Sequence, residues 1–310
     1  MNKAVLGVLL ALVFVTLESA QFVFFGGLFQ RMSAFQFGFL VFGLITVFFV
    51  ALTAWRDPQQ LRNARAQPGT LFAVNAMAAL AFTAYLMSVQ LVEPAITYTI
   101  SSGVMPITAW VLHRLGVSKG DELNHWMEKF GMLLVLVGIV FLSAITIGGY
   151  SGFVRGDETV ALAGVLLAIA DGIFFTLVLV FSRRLNDGGV GAAAVLGLRL
   201  PLYVGIAGLC MIYQVDYKEP LSASETAFYV LVGLLLTVPP LYTLQKAVSL
   251  VSTLTVSALT ALGPFIIFLL QWFEGRVEYS SATLIGLTIY FAGALFCAFG
   301  AVRTATTPAS

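Results

Sequence analysis

Thr97-Tyr98-Thr99-Ile100-Ser101-Ser102-Gly103-Val104-Met105-Pro106 is answered half a chain later by Thr255-Val256-Ser257-Ala258-Leu259-Thr260-Ala261-Leu262-Gly263-Pro264. In each stretch a Ser/Thr-rich turn leads to a Pro inside an apolar segment, and a Tyr, Tyr85 or Tyr242, stands near the end of the segment before it. Farther along, Gly131 and Gly138 are spaced like Gly286 and Gly293, seven residues apart in both cases. Prolines and glycine pairs at matching places predict two copies of one unit, residues 1–155 and 156–310.

Both copies are strongly apolar. Of 310 residues, 16 are Lys or Arg and 15 Asp or Glu, together 10%, against 59% hydrophobic residues. The mean hydropathy is +0.96. Soluble domains carry about 25% charged residues, so water on all sides cannot accommodate this chain. A single soluble core, a disordered chain and a disulfide-stapled scaffold are all excluded. The net charge of +1 offers no field for nucleic acid. Cys210 and Cys297 sit in apolar runs and support neither a disulfide framework nor a metal site.

A helix needs about 20 apolar residues to cross roughly 30 Å of hydrocarbon. Ten windows qualify: roughly 4–27, 35–55, 70–91, 95–113, 128–149, 159–182, 191–213, 225–245, 250–273 and 280–302. Short connections leave no room for a soluble catalytic domain, and they make barrel strands implausible. The first window has the flavour of a secretory signal, with Lys3 ahead of an apolar run and Ala20 as a cleavage site. Glu18 at the minus-three position is not small, however, and the run continues to Phe25, so it is read as a span. With the N-terminus inside, the cytoplasmic segments hold Lys3, Arg56, Arg62, Arg65, Arg114, Lys119, Lys129, Arg183, Arg184, Lys246 and Arg303. The outer segments hold Arg31, Arg155, Lys218 and Arg276. This asymmetry predicts that both termini are cytoplasmic.

Five spans per copy is an odd number, so the copies must run in opposite senses. The expected fold is therefore all-α and integral to the membrane: ten transmembrane helices in two inverted five-helix repeats, the architecture of secondary transporters. On these features the chain resembles the drug/metabolite transporter superfamily, in its ten-helix EamA-like exporter branch, over about residues 5–302. The two five-span halves, the Ser/Thr-rich turns before Pro106 and Pro264 and the two glycine pairs carry the resemblance. So does the end of span six, Phe181-Ser182-Arg183-Arg184-Leu185, followed by Arg199 in span seven. The chain departs from the family in having Glu18, and no Trp, in span one. The resemblance implies a central cavity lined by spans 1, 3, 4, 6, 8 and 9, with spans 5 and 10 packed to one side, where their glycines permit close helix contact.

Charged groups inside the membrane are the candidate site. Glu18 lies midway along span one, where a charge costs roughly 2.5–3.5 kcal/mol and must face protein or a wet cavity. Phe14, Gln21, Phe22 and Phe25 are its helical neighbours. A carboxylate among aromatic rings suits an organic cation, or a proton; an ion pair with Arg199 is the structural alternative. Asp171 in span six is the second deep acid, and Gly172 beside it permits a kink that the Asp would cap. Arg199, next to Pro201, is read either as a lock on Asp171 or Glu18 or as an anion site. Asn75, Phe82 and Tyr85 share one face of span three, while Tyr98, Ser101 and Met105 share one of span four. With Tyr242 these hydroxyls and amides form a substrate-orienting set, unless they only join helices at about 0.6 kcal/mol each. Pro239-Pro240 predicts a break in span eight just before Tyr242, and Pro106 and Pro264 are further candidate gating breaks. His113 and His125 bracket a charged loop with Lys119, Asp121 and Glu122, expected to be solvated and not a metal site.

No Gly-rich phosphate loop ending in Lys-Ser/Thr, no His-Glu-x-x-His and no Cys-x-x-Cys occurs. Gly149-Tyr150-Ser151-Gly152-Phe153 lacks the second Gly of a nucleophile elbow. Neither an enzyme nor a cofactor is expected. The sequence predicts a secondary transporter, an exporter by resemblance, for a small polar or amphipathic metabolite such as an amino acid or amine. It is driven by protons or by exchange, with Glu18 and Asp171 as coupling acids. The alternatives are an exchanger of anionic metabolites of nucleotide-sugar or phosphate-ester type, using Arg199, and a non-transporting membrane scaffold. The expected partners are the substrate, protons and the bilayer, in a monomer or a homodimer. Short loops point to a bacterial inner membrane, with an organellar membrane as the alternative.

Overall fold

In the computed structural model, the structure describes residues 3–118, 125–251, 253–275, 277–278 and 280–306. Lys119, Asp121, Glu122 and Arg276 lie outside them. Thirteen helices make up the described chain: α1 Lys3–Leu28, α2 Ala34–Arg56, α3 Pro58–Arg65, α4 Pro68–Leu91, α5 Pro94–Arg114, α6 Trp126–Ile147 and α7 Glu158–Asp187, then α8 Ala192–Leu198, α9 Pro201–Ile212, α10 Ala223–Val248, α11 Thr253–Thr260, α12 Gly263–Glu274 and α13 Ser281–Thr306. Beyond them, the described residues contain only one isolated antiparallel bridge, Val92 to Val154.

Local chemistry sets the boundaries. α3, α4, α5, α9 and α12 each have Pro in their first turn, where its missing N–H costs nothing. The Ser33 hydroxyl and the Asp157 carboxylate accept from Gln36 N and Val160 N, and Ser222 with Glu225 closes a capping box on α10. Eight helical segments are long and apolar enough to cross a membrane: α1, α2, α4, α5, α6, α7, the α8–α9 pair and α10. Gly263–Glu274 and Ser281–Cys297 are shorter apolar helices. The outer faces carry Val47, Phe48, Phe72, Leu231 and Leu235 in the open, each at least 59% exposed. An apolar surface of that extent calls for lipid as its solvent.

The helices pack in pairs: α4 with α7, α1 with α10, α2 with α8 and α9, α5 with α11 and α12, and α6 with α13. The glycines of α6 and α13 meet as the sequence suggests. A Cβ on Gly131 would stand 2.5 Å from the Gly293 carbonyl oxygen, and one on Gly138 would stand 3.0 Å from Tyr290 backbone. The backbones touch because no side chain intervenes.

The helix breaks differ from expectation. α10 runs without interruption through Pro239 and Pro240, and α5 runs through Pro106. Neighbouring helices inside a bundle can stabilise a helix around a proline, so the residue alone does not end it. Interruptions fall instead at Arg199-Leu200, between α8 and α9, and at Ala261-Leu262, between α11 and α12, where Pro264 follows in the first turn. Both breaks are capped from another helix. Asn75 of α4 donates from Nδ2 to the Leu198 carbonyl at 2.7 Å and accepts from Leu202 N at 3.3 Å. Ser19 of α1 donates to the Gly263 carbonyl at 3.3 Å as well as to Val15 O at 2.7 Å. α7 is likewise continuous past Gly172, so Asp171 caps no break there.

Candidate functional site

A narrow cavity lies between α1, α4, α5, α7, α10 and α11, lined by Glu18, Gln21, Phe22, Phe82, Tyr85, Tyr98, Ser101, Ser102, Met105, Asp171, Phe175, Leu241 and Thr260. These helices correspond to the spans that the resemblance implies; α6 and α13 stand aside. The space in which the centre of a water molecule can move is ≈ 40 Å³. At about 10–15 Å³ per water that is room for a few waters. Pockets for drug-sized ligands run to about 300–1,000 Å³, so a metabolite enters only if the helices move apart.

Two acids reach this space from opposite sides. Glu18 projects from α1 into the same cavity that Asp171 lines. Asp171, on α7, is 6% exposed and accepts a 2.6 Å hydrogen bond from the Ser101 hydroxyl of α5. Gly172 makes that approach possible, since a Cβ there would collide with the Ser101 carbonyl oxygen. Its role is therefore close helix contact, not a kink. Two like charges in a dry cavity repel, and a proton or a bound cation relieves the repulsion.

Aromatic rings form the wall beside Glu18. Phe22, one turn along α1, lies 4.6 Å from the Tyr85 ring and 4.7 Å, edge-on, from Tyr98. The buried Tyr85 hydroxyl has no hydrogen-bond partner among the described residues, and the Tyr98 hydroxyl lies beside Glu18. The Tyr98 ring also packs on Gly263, at the α11–α12 break, where a Cβ would overlap it. Gln21 is held by a 2.9 Å bond from its Nε2 to Thr237 Oγ1 of α10.

Of the residues singled out in the sequence, the cavity thus gathers Glu18, Gln21, Tyr85, Tyr98, Ser101 and Asp171. It leaves four elsewhere. Phe14 is buried in a separate apolar cluster with Met105, Leu179 and Leu244. Asn75 is consumed by the α8–α9 break. Tyr242, on the uninterrupted α10, is 40% exposed and stacks on Phe49 at 6.3 Å, outside the cavity lining. Arg199 is fully buried but pairs with neither acid: its Nη1 donates to Gln245 Oε1 at 3.0 Å. Sequence reasoning missed Phe175, one helical turn past Asp171, and Thr260, which ends α11. Spacing from Asp171 was the available signal for the first; for the second it was the Ser/Thr-rich stretch before Pro264, in which Thr260 stands where Ser102 does before Pro106.

The comparisons with known proteins agree with this architecture. Residues 5–144 match the family described as the EamA-like transporter family. No curated relative matches the sequence. A solved crystal structure 18% identical to the chain superimposes with a TM-score of 0.65, covering 97% of this chain and 98% of its own, which speaks to the fold alone. Over residues 5–144 this multi-pass bundle of apolar helices is therefore similar to the EamA-like transporter family, consistent with the drug/metabolite transporter superfamily.

Proposed function

We propose that the protein is a proton-coupled secondary transporter exporting a small ammonium-bearing metabolite, an amine or amino acid, across a bacterial inner membrane. The observation that carries this reading is the pair Glu18 and Asp171 facing one narrow cavity walled by Phe22, Tyr85 and Tyr98. An ammonium group gains charge pairing with the acids and cation–π contact with the rings. Protons and substrate compete for the same carboxyl pair, so each leaves when the other binds; that competition couples their movements in opposite directions. Tyr85, Tyr98, Gln21 and Ser101 orient the bound molecule.

The finer architecture belongs to the same proposal: ten spans, halves 1–155 and 156–310 inverted, both termini cytoplasmic. The packing partners support it. Exchanging the halves turns the pair α4–α7 into α10–α1, and the contact of α5 with α7 into that of α11 and α12 with α1. The remaining pairs, α2 with α8 and α9, α5 with α11 and α12, and α6 with α13, map onto themselves. Such self-consistency is what a two-fold axis in the membrane plane requires. The anion-exchanger reading is the weaker one, because Arg199 does not line the cavity and a phosphorylated substrate ordinarily meets several cations.

Reconstituted protein with a pH-sensitive dye inside the vesicles tests the reading. Pooled amines and amino acids should drive proton movement in wild type but not in Glu18→Gln, while pooled anionic metabolites should drive none. Equal flux in the two proteins would make Glu18 structural and remove the coupling mechanism. Flux driven by the anionic pool and kept in Glu18→Gln would favour the exchanger.

A further inference from the structure

Arg199 is unusual. Its side chain is entirely buried, yet among the described residues only Nη1 has a partner, the Gln245 carboxamide oxygen at 3.0 Å, and Nε and Nη2 have no acceptor. Gln245 is equally buried, and its Nε2 is also without an acceptor. Three unmet groups therefore cluster at one point, and all three are donors. A buried guanidinium with no counter-charge is a costly arrangement unless another state of the protein completes it.

Its place in the fold says what would complete it. Gln245 follows the cavity-lining Leu241 by four residues on α10, so it lies one helical turn, about 5.4 Å, beyond the cavity wall on the same face. A second path leads to the same place: Tyr203, four residues after Arg199, has its ring 5.6 Å from that of the cavity-lining Phe82. The cavity as it stands holds a few waters and must widen to take any metabolite. Widening past Leu241 brings its floor to the Arg199 donors, and the interruption at Arg199-Leu200 between α8 and α9 lets that element move as two short pieces.

We infer that Arg199, steadied by Gln245, receives a carboxylate of the transported molecule when the cavity widens. This rests on the function proposed above and narrows it: the ammonium group sits between Glu18 and Asp171, the carboxylate one turn deeper on Arg199, and the substrate class is a zwitterionic amino acid. A planar guanidinium matches a carboxylate with two parallel hydrogen bonds, which suits the free Nε and Nη2.

Matched ligands that differ only in the carboxylate test this: lysine against cadaverine, and arginine against agmatine. Their binding to purified protein is read as the shift in thermal unfolding midpoint over a concentration series. Wild type should bind each amino acid roughly ten- to a hundredfold more tightly than its amine, the range of a buried charge-assisted hydrogen bond. In Arg199→Gln that ratio should fall to about one with amine binding retained. Gln245→Glu supplies an internal carboxylate to Arg199 and keeps the cluster paired; it should also abolish the preference, and it provides the test should Arg199→Gln fail to fold. A wild-type ratio near one, or a ratio unchanged in Gln245→Glu, overturns the inference. Glu18→Gln separates the two levels. If it abolishes binding of amine and amino acid alike while the Arg199 and Gln245 variants leave the ratio untouched, the transport reading stands and only the carboxylate site falls. If no ammonium-bearing ligand stabilises wild type, both fall.

Discussion

Asn75 shows how a polar residue inside the membrane can look functional and be structural. Its carboxamide serves both ends of the α8–α9 break, and it also donates to Leu71 O at 3.0 Å on its own helix. Removing it strands the Leu198 carbonyl and the Leu202 N–H where little water can replace it. Asn75→Ala should therefore cost about 1–3 kcal/mol of stability, seen as a lower thermal midpoint in detergent. Substrate affinity of the protein that remains folded should be unchanged; a specific loss of affinity at full stability would return Asn75 to the binding site. Glu18 and Asp171, by contrast, line the cavity, and no basic side chain pairs with either among the described residues.

At the scale of elements, close backbone contact separates the glycines that matter from those that do not. Gly131 of α6 sits against Gly293 of α13 with no space for a methyl group, whereas a Cβ on Gly205 of α9 would meet nothing within 4 Å. Gly131→Ala forces the two helices apart and should destabilise by about 1–3 kcal/mol. Gly205→Ala only stiffens a helix and should be neutral or stabilising by roughly 0.5–1 kcal/mol. Paired thermal unfolding curves check both; equal effects would mean that the α6–α13 seam is not tight. The pairing of α6 with α13 was legible in the sequence because the glycines repeat at a helical interval. The continuity of α10 was not, since whether a proline breaks a helix depends on what surrounds it.

Across the whole molecule, the connections gather at two ends. At one, Glu93, in the turn between α4 and α5, accepts from Gly152 N at 3.1 Å and Thr283 Oγ1 at 3.3 Å, while Arg155 and Lys218 both donate to Gln90 Oε1. At the other, Gln60 accepts from Gly191 N at 2.8 Å, and Asn63 and Gln67 donate to the Gly189 and Gly188 carbonyls. Thr283 and Lys218 at the first end, and all three bonds at the second, join residues 1–155 to residues 156–310, whereas Gly152 and Arg155 bond within the first stretch. The proposed orientation puts Glu219 outside and Gln59 inside. With Cys210 and Cys297 replaced, Glu219→Cys should react with a membrane-impermeant maleimide added to intact cells, and Gln59→Cys should react only after lysis. The reverse pattern would invert the topology.

By itself the sequence determined the solvent of this protein, the apolar windows that cross it and the few charges that lie deep within them. These follow from composition and run length, which need no knowledge of neighbours. The family resemblance that the sequence carries implied which helices line the centre. Only the tertiary structure decided which deep polar groups share a cavity. Depth along a span can be counted, but the direction a side chain faces depends on where helices break and how they are rotated against one another. Tyr242 stacks on Phe49 away from the cavity, Asn75 is drawn off by the break in a neighbouring helix, and Arg199 finds Gln245 and not an acid. Ser101 and Asp171 meet across seventy residues for the same kind of reason: α5 and α7 can approach only where Gly172 has no side chain to hold them apart.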